Sequence, residues 1–349
     1  MPIIRLRLKE KVVKSHNIYV EDGITKRIPE ILEKTEVGKK YAIITDTIVE
    51  KLFAKKLQNA LKRKKIKSEI ISFKKGEQSK TMTTAEKLGE EMINKGFDRQ
   101  DAVIALGGGV VGDLGGFVAS IYMRGIPYIH VPTTLMAMVD SAIGGKTGVD
   151  LKNGKNLMGT IIQPKVVFVD MAFLKNLPLK QIQNGLAEVI KYGVIKDKRL
   201  FKFLEQNMEK ILKKDPAALK YILKRSIKVK VDIVRKDERE KTGLRATLNY
   251  GHTYGHALEK LSGYKLLHGH AISIGMVIIN KLAVAKGTLK EKHANRIKKL
   301  LISAGLPVTT MKKITKKDLL SDKKKEGDYV NLILATKIGS ATIVKAKCK

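Results

Sequence analysis

Cysteine is almost absent. The chain of 349 residues holds one, Cys348, next to the C-terminus. A single thiol excludes an intramolecular disulfide and leaves any metal site to histidine and carboxylate. It also fits a reducing, cytoplasmic setting. Aromatic residues are scarce, at 5%. They are not interleaved with basic clusters, so stacking platforms for nucleic-acid bases are lacking. No apolar run reaches the ~18 residues that a membrane span needs. The N-terminus, "MPIIRLRLKEK", lacks the long apolar stretch of a secretory signal. Acids are outnumbered: 34 Asp and Glu face 69 Lys and Arg, for a formal net charge of +35. A charge that large raises nucleic-acid binding as a hypothesis. The lysines are spread along the whole chain, however, and no nucleic-acid motif appears. A lysine-rich surface accounts for them. The densest run, Leu61–Glu69, reads as a solvated helix end entering a strand. Neither nucleic acid nor membrane is expected as a partner.

What is present is a globular composition, 43% apolar with charges mixed throughout. The length favours two domains. In the first half, strands alternate with helices. "IIRLRL" (Ile3–Leu8), "YAIITD" (Tyr41–Asp46), "SEIISF" (Ser68–Phe73), "DAVIALGGG" (Asp101–Gly109), "YIHVPTT" (Tyr128–Thr134) and "KVVFVD" (Lys165–Asp170) read as strands. Short apolar runs of this kind suit buried parallel strands. "TAEKLGEEMINKG" (Thr84–Gly96) has helical spacing and a closing glycine. After Pro178 the periodicity turns helical, and a late stretch around Gly339 and Ser340 reads as a hairpin. The expected fold is an α/β, Rossmann-like dinucleotide-binding domain over 1–177, followed by a mainly α-helical domain over 178–349. A cleft between two such halves is a common place for a ligand.

The strand at Asp101 runs into G-x-G-x-x-G, as Gly107, Gly109 and Gly112. Glycines let a backbone approach a pyrophosphate, and a helix N-terminus favours its charge. No acid lies ~20 positions further on, where a ribose contact would be. Asp46, at the end of an earlier strand, is the better candidate, and a helix N-cap is its equal alternative. Asp113 reads as a first-turn acid that complements the helix dipole.

Four of the seven histidines lie between His252 and His270. His252 and His256 have the spacing of a helical zinc pair, but Thr253 replaces the glutamate of the metalloprotease pattern. Glu188 and Lys191 share a helix face. Taken alone, Glu188 reads as a solvated acid paired with Lys191, and each histidine as a core or turn residue.

The stretch Met123–Ile161 is glycine-rich and carries Asp140, Lys146, Lys155 and Asn156 among apolar residues. It reads as a functional loop segment. With "GEQSK", "GGGVVGD", "PTTLMAMVDSAIGGKTG", "GKNLMG", "GLAEVIKYG", "GLRATLNYGHTYGHA", "HGHAISIGM" and "DKK", nearly the whole chain closely resembles the 3-dehydroquinate synthases of the sugar-phosphate cyclase family. The resemblance implies NAD bound by the N-terminal domain, a helical C-terminal domain, and a divalent metal, zinc or cobalt, in the cleft between them. It also implies a homodimer. By motif it assigns the nucleotide to Asp46, Glu77, Lys80, Gly108, Gly109, Asp113, Thr133, Thr134 and Lys155. It assigns the metal to Glu188, His252 and His268. It places Lys146, Lys191, Arg245, Asn249 and His256 in the catalytic machinery, and Asp140, Asn156, Lys230 and Lys324 (or its neighbour Lys323) near the substrate. Where most relatives carry Glu, this chain has His270. The implied substrate is 3-deoxy-arabino-heptulosonate 7-phosphate, anionic at both ends. The implied chemistry is transient oxidation by NAD, β-elimination of phosphate, re-reduction and an intramolecular aldol closure. Related cyclases of sedoheptulose 7-phosphate or glucose 6-phosphate, and metal-dependent polyol dehydrogenases, are the competing classes. The lysine and arginine set favours a carboxylate-bearing substrate, and "GGKTG" with the phosphate clamp disfavours a polyol dehydrogenase.

Overall fold

The structure, a computed structural model, describes residues 15–152, 154–315, 318–319, 325–326 and 329–347. The strand expected at Ile3–Leu8 and the candidates Lys323 and Lys324 lie outside the described residues.

Six parallel strands form the central sheet: β1 (Asn17–Glu21), β2 (Lys40–Asp46), β3 (Lys67–Phe73), β4 (Ala102–Gly107), β5 (Tyr128–Pro132) and, after the hairpin described below, β8 (Val166–Asp170). Their order is β1-β8-β5-β4-β2-β3. β4, β5 and β8 are buried along their whole length, as continuous apolar strands covered on both faces should be. From β2 the chain moves outward to β3 and then returns to the other side of β2 as β4. That reversal opens a crevice between the ends of β2 and β4, the usual ligand position in such a sheet. Asp46 ends one of these strands and Gly107 the other.

Helices α1 (Ile28–Thr35), α2 (Thr47–Val49), α3 (Lys55–Arg63), α4 (Met82–Asn94), α5 (Gly109–Ile121) and α6 (Ala172–Lys175) accompany the sheet. The face under α4 and α5 holds a smaller core around Ile44, Leu88, Val103 and Leu114. The other face opens into a larger core that runs without a break from Ile43, Leu106 and Val131 to Leu186, Ile222 and Met276.

The later helices are α7 (Leu179–Ile195), α8 (Lys198–Leu212), α9 (Pro216–Lys236), α10 (His252–Leu261), α11 (His268–Ala285) and α12 (Glu291–Ser303). Asp197 caps α8, and Asp215 caps α9 with Pro216 at the first turn, as helix starts favour. Asp197 also takes a two-pronged bond from Arg225 at 2.7 and 2.6 Å, which joins α8 to α9. The late hairpin is present as β10 (Tyr329–Lys337) and β11 (Ser340–Lys347), with the short β9 (Lys325–Glu326) beside it. By length and composition α11 could cross a membrane, but 61% of its window is buried inside the protein. Its apolar residues face neighbouring helices, and interspersed His, Ser and Asn kept it from reading as an unbroken apolar run.

The segment 123–161 departs most from expectation. It is not a long loop. After β5 comes a π-helical turn, Ala137–Ser141, and then an antiparallel hairpin of β6 (Lys146–Leu151) and β7 (Gly154–Ile161). Its glycines hid the strands: Gly148 and Gly159 face each other so closely that a Cβ on either would strike the opposite backbone.

Candidate active site

The loop Gly107–Gly109 leaves β4 and enters α5, with Gly108 at the N-cap. A glycine at 112 lets α5 lie against β5, since a Cβ there would fall 2.2 Å from His130 Nε2. Thr133 is buried, and its N–H donates to Gly107 O at 2.9 Å. Thr134 Oγ1 accepts from Ala137 N at 3.2 Å, and its methyl lies against Gly108. Asp113 stands in the second turn of α5 rather than the first, so the dipole does not account for it. Its partner is Lys80, with Nζ 2.5 Å from Asp113 Oδ2. Lys80 is 3% exposed. Burial works against its charge, but Asp113 and Glu77 outweigh that and raise its pKa. Asp46 Oδ1 accepts from Ile48 N and Val49 N at 2.8 and 3.0 Å, an N-cap.

The hairpin reaches this side of the cleft. Lys80 O accepts from Asp150 N at 2.8 Å, and Lys80 Nζ donates to Asn156 Oδ1. Lys155 Nζ lies 3.3 Å from Glu77 Oε1. Asn156, assigned by motif to the substrate, therefore touches the Lys80 cluster.

On the other side, Glu188 of α7 is fully buried, so it is not the solvated acid that its sequence position suggested. Neither of its oxygens has a hydrogen bond of good geometry, although charged and imidazole groups crowd them. Lys191 Nζ pairs with Oε2. His252 Nε2 and His268 Nε2 lie 3.3 and 3.4 Å from Oε1. A tetrahedral ion with bonds of ~2.0–2.1 Å has ligand–ligand edges of about 3.4 Å. Two histidines and one carboxylate are also a common donor set for a catalytic zinc with one open position. The three residues thus fit a divalent metal.

Close helix packing makes this meeting possible. Gly251, at φ +80°, starts α10, and a Cβ on Gly275 of α11 would fall 2.0 Å from Gly251 O. His252 and His268 are thereby brought to 5.1 Å between ring centroids. Gly269 N donates to Asn184 Oδ1 at 2.6 Å, which docks the start of α11 on α7. His252 Nδ1 faces Tyr250 O at 3.1 Å. The two rings differ in proton affinity. Burial, helped by Lys191, drives His252 down to about 3. For His268 burial acts the same way, but Glu259 and Glu188 prevail and push it up to about 10.

Lys191 and Lys230 converge on Asp140 next to the metal candidates. Asp140, on the π-helical turn, accepts from Lys230 Nζ at 2.5 Å and from Tyr192 OH at 2.6 Å. Lys191 Nζ is 3.8 Å away. Burial opposes the Asp140 charge, yet Lys230 and Lys191 bring its pKa down to about 2. Lys146 Nζ sits 2.6 Å from Glu240 Oε1, and Arg245 Nε is 3.9 Å from the same oxygen. Arg245 also donates to Gly144 O at 3.1 Å. His256 stands 5.4 Å from His252 and 6.1 Å from His268, centroid to centroid. Asn249 is half-buried at the end of a short turn, Arg245–Asn249, just before α10. Among the described residues, His270 belongs to neither group that could hold a metal. Its Nε2 is buried without a hydrogen-bond partner.

Sequence reasoning missed Tyr192, Glu240 and Glu259. Glu259 left a signal: with His252 and His256 it falls on one helix face, at i, i+4 and i+7.

Comparison with known proteins agrees across the chain. The family models "3-dehydroquinate synthase N-terminal" and "3-dehydroquinate synthase C-terminal" match residues 70–184 and 185–325. A 3-dehydroquinate synthase of Thermodesulfovibrio yellowstonii is 44% identical over 348 residues, covering 98% of this chain and 96% of that protein. Among solved structures, 2-epi-5-epi-valiolone synthase from Streptomyces hygroscopicus, with NAD+ and Zn2+ bound, is 28% identical. It superposes with a TM-score of 0.88 over 98% of this chain and 95% of that one. A 2-deoxy-scyllo-inosose synthase complexed with carbaglucose-6-phosphate, NAD+ and Co2+ is 27% identical, with a TM-score of 0.85 over 95% and 93%.

Proposed function

The chain belongs to the 3-dehydroquinate synthase family, and from that premise we propose that it converts 3-deoxy-D-arabino-heptulosonate 7-phosphate to 3-dehydroquinate and inorganic phosphate. It would act as a phosphate-eliminating lyase of aromatic amino acid biosynthesis, in the cytoplasm and as a homodimer. We place its domain boundary at Leu177–Pro178. When bound, NAD would accept and return a hydride, and a zinc or cobalt ion would polarise the substrate's hydroxyl oxygens.

The observation that carries this reading is the meeting of Glu188, His252 and His268 beside Lys191, with Lys191 and Lys230 on Asp140 and with Lys146 and Arg245 on Glu240. Glu188 and the two Nε2 atoms would hold the metal. Lys191 stands between Glu188 and Asp140, where it can hold a substrate oxygen beside the metal. Glu240 spans Lys146 and Arg245 much as an anionic substrate group would. Fixed cations of this kind hold phosphate and carboxylate and steady the charge of the leaving phosphate. Asp140 holds Lys230 in place, and His256 flanks the metal candidates from α10; Asn249 and Lys324 are assigned to the substrate side by motif alone. On the nucleotide side, Gly108, Gly109, Thr133 and Thr134 shape the phosphate approach. Lys80, Asp113, Glu77, Lys155 and Asp46 line its flank.

The purified protein, given NAD and zinc or cobalt, should release phosphate from the heptulosonate phosphate without net NADH. Stoichiometric NADH would identify a dehydrogenase instead. Turnover of sedoheptulose 7-phosphate or glucose 6-phosphate, but not of the heptulosonate, would move the chain to another cyclase of the kind seen among its structural neighbours.

A further inference from the structure

We infer that Glu259 is the positioning residue of the metal site: it accepts the Nδ1 proton of His268 and so aims that ring's Nε2 at Glu188. The inference rests on the proposed metal set and deepens it.

His268 Nδ1 lies 3.1 Å from Glu259 Oε2, while its Nε2 lies 3.4 Å from Glu188 Oε1. His252 is arranged in the same way. Its Nδ1 faces Tyr250 O at 3.1 Å, and its Nε2 faces the same Glu188 oxygen at 3.3 Å. Each ring therefore has an acceptor behind it, which keeps a proton on Nδ1 and directs Nε2 to a cation once the metal displaces any proton there. The two acceptors differ. The one behind His252 is a neutral carbonyl fixed by the backbone two residues back. The one behind His268 is a carboxylate from another helix, and a carboxylate makes the imidazole a stronger donor to the metal.

Glu259 is itself held. It is 4% exposed, and its second oxygen, Oε1, lies 3.3 Å from Lys155 Nζ. Lys155 reaches in from β7, with its ammonium 4.6 Å above the Tyr264 ring. The carboxylate thus has one oxygen for His268 and one for Lys155.

A second arrangement is geometrically open, because His256, Glu259 and His268 also bring donor atoms within 4.8 Å of one another. In that set Glu259 would be a ligand. It would leave Glu188 buried, with His252 Nε2 aimed at its oxygen and no cation between them.

Apo full-length protein titrated with Zn2+ or Co2+ alone separates these cases. Glu259→Gln keeps the size and one acceptor but loses the charge. It should weaken metal binding about tenfold and shift the visible absorption of the Co2+ form, and Glu259→Ala should weaken binding up to about a hundredfold. His256→Ala should keep the metal, and Glu188→Ala should lose it. Unchanged affinity and spectrum in Glu259→Gln would overturn the inference, since a packing role alone would leave both in place. Loss of metal in His256→Ala as complete as in Glu188→Ala would overturn it too, by making Glu259 a ligand. Metal retained by Glu188→Ala would instead remove the underlying site assignment. If Glu259→Ala does not fold, the near-isosteric Gln variant carries the test.

Discussion

The two sides of the cleft solve the burial of charge differently. On the nucleotide side, Lys80 and Asp113 close on each other, and Asn156 completes the lysine. Backbone N–H groups at the start of α5 remain the means of holding a phosphate. On the metal side, Glu188 is fully buried, yet its oxygens lack well-formed hydrogen bonds. A buried carboxylate is costly unless it is paired; Lys191 pairs with Oε2, and a cation between Oε1 and the two imidazoles would compensate it further. One side closes on an internal ion pair; on the other, Lys191 pairs with one Glu188 oxygen and the second oxygen faces the two imidazoles. That difference supports the proposed metal position more directly than the histidine spacing does.

The strongest way to break the comparison is Glu188→Ala. It should reduce metal affinity by more than the ~100-fold expected for losing an outer partner, with NAD binding preserved. Metal content after gel filtration and NAD titration read the two sides separately. Equal loss on both sides would mean that they are not independent. Lys80→Met is the mirror experiment. Removing one partner of a buried pair costs about 3 kcal/mol, so denaturant unfolding should show a clear drop and NAD should bind weakly. Zinc content should hold, and a parallel loss of zinc would count against the division.

Acid sharpens the view of the metal side. The folded pKa of Asp140 is lowered from 3.8 to about 2. Its stabilisation is therefore complete above the unfolded value and is lost as pH falls through the folded one. The expected amount is on the order of 2 kcal/mol. Unfolding midpoints measured between those pH values should fall less steeply in Asp140→Asn than in the parent. Identical slopes would exclude Asp140 as the titrating group. The smallest effect belongs to Asp46→Ala. Losing an N-cap costs about 1 kcal/mol, and the Asp46 bonds to Ile48 and Val49 are of that kind. If Asp46 also meets the nucleotide ribose, NAD affinity falls with stability. If it is only a cap, stability alone changes.

The legible parts of the sequence were those in which neighbours along the chain cooperate. β2, β4, β5 and β8 are apolar runs, and the glycine loop follows β4 directly. The hairpin at 146–161 was not legible, because its strands carry glycines where strand formers would announce them. Asp113 misled for a related reason. Its position near a helix start suggested the dipole, while its partner is Lys80, 33 residues earlier in the chain. Glu188 looked like half of a surface pair with Lys191. The pair exists, but both members are buried, and exposure is not written in an i, i+3 spacing.

The sequence by itself determined the alternation of strands and helices, the change to helices after Pro178, the phosphate-type glycine loop and the motif set that marks the family. These follow from local periodicity and from residue types at fixed spacing. Tertiary structure alone decided which nitrogen of each histidine faces Glu188, that Glu259 stands behind His268, and that Lys155 reaches across to it. Such contacts depend on how closely α7, α10 and α11 approach, to within the width of a missing Cβ at Gly269 and Gly275. Residues far apart in the chain report that distance only once the helices are packed.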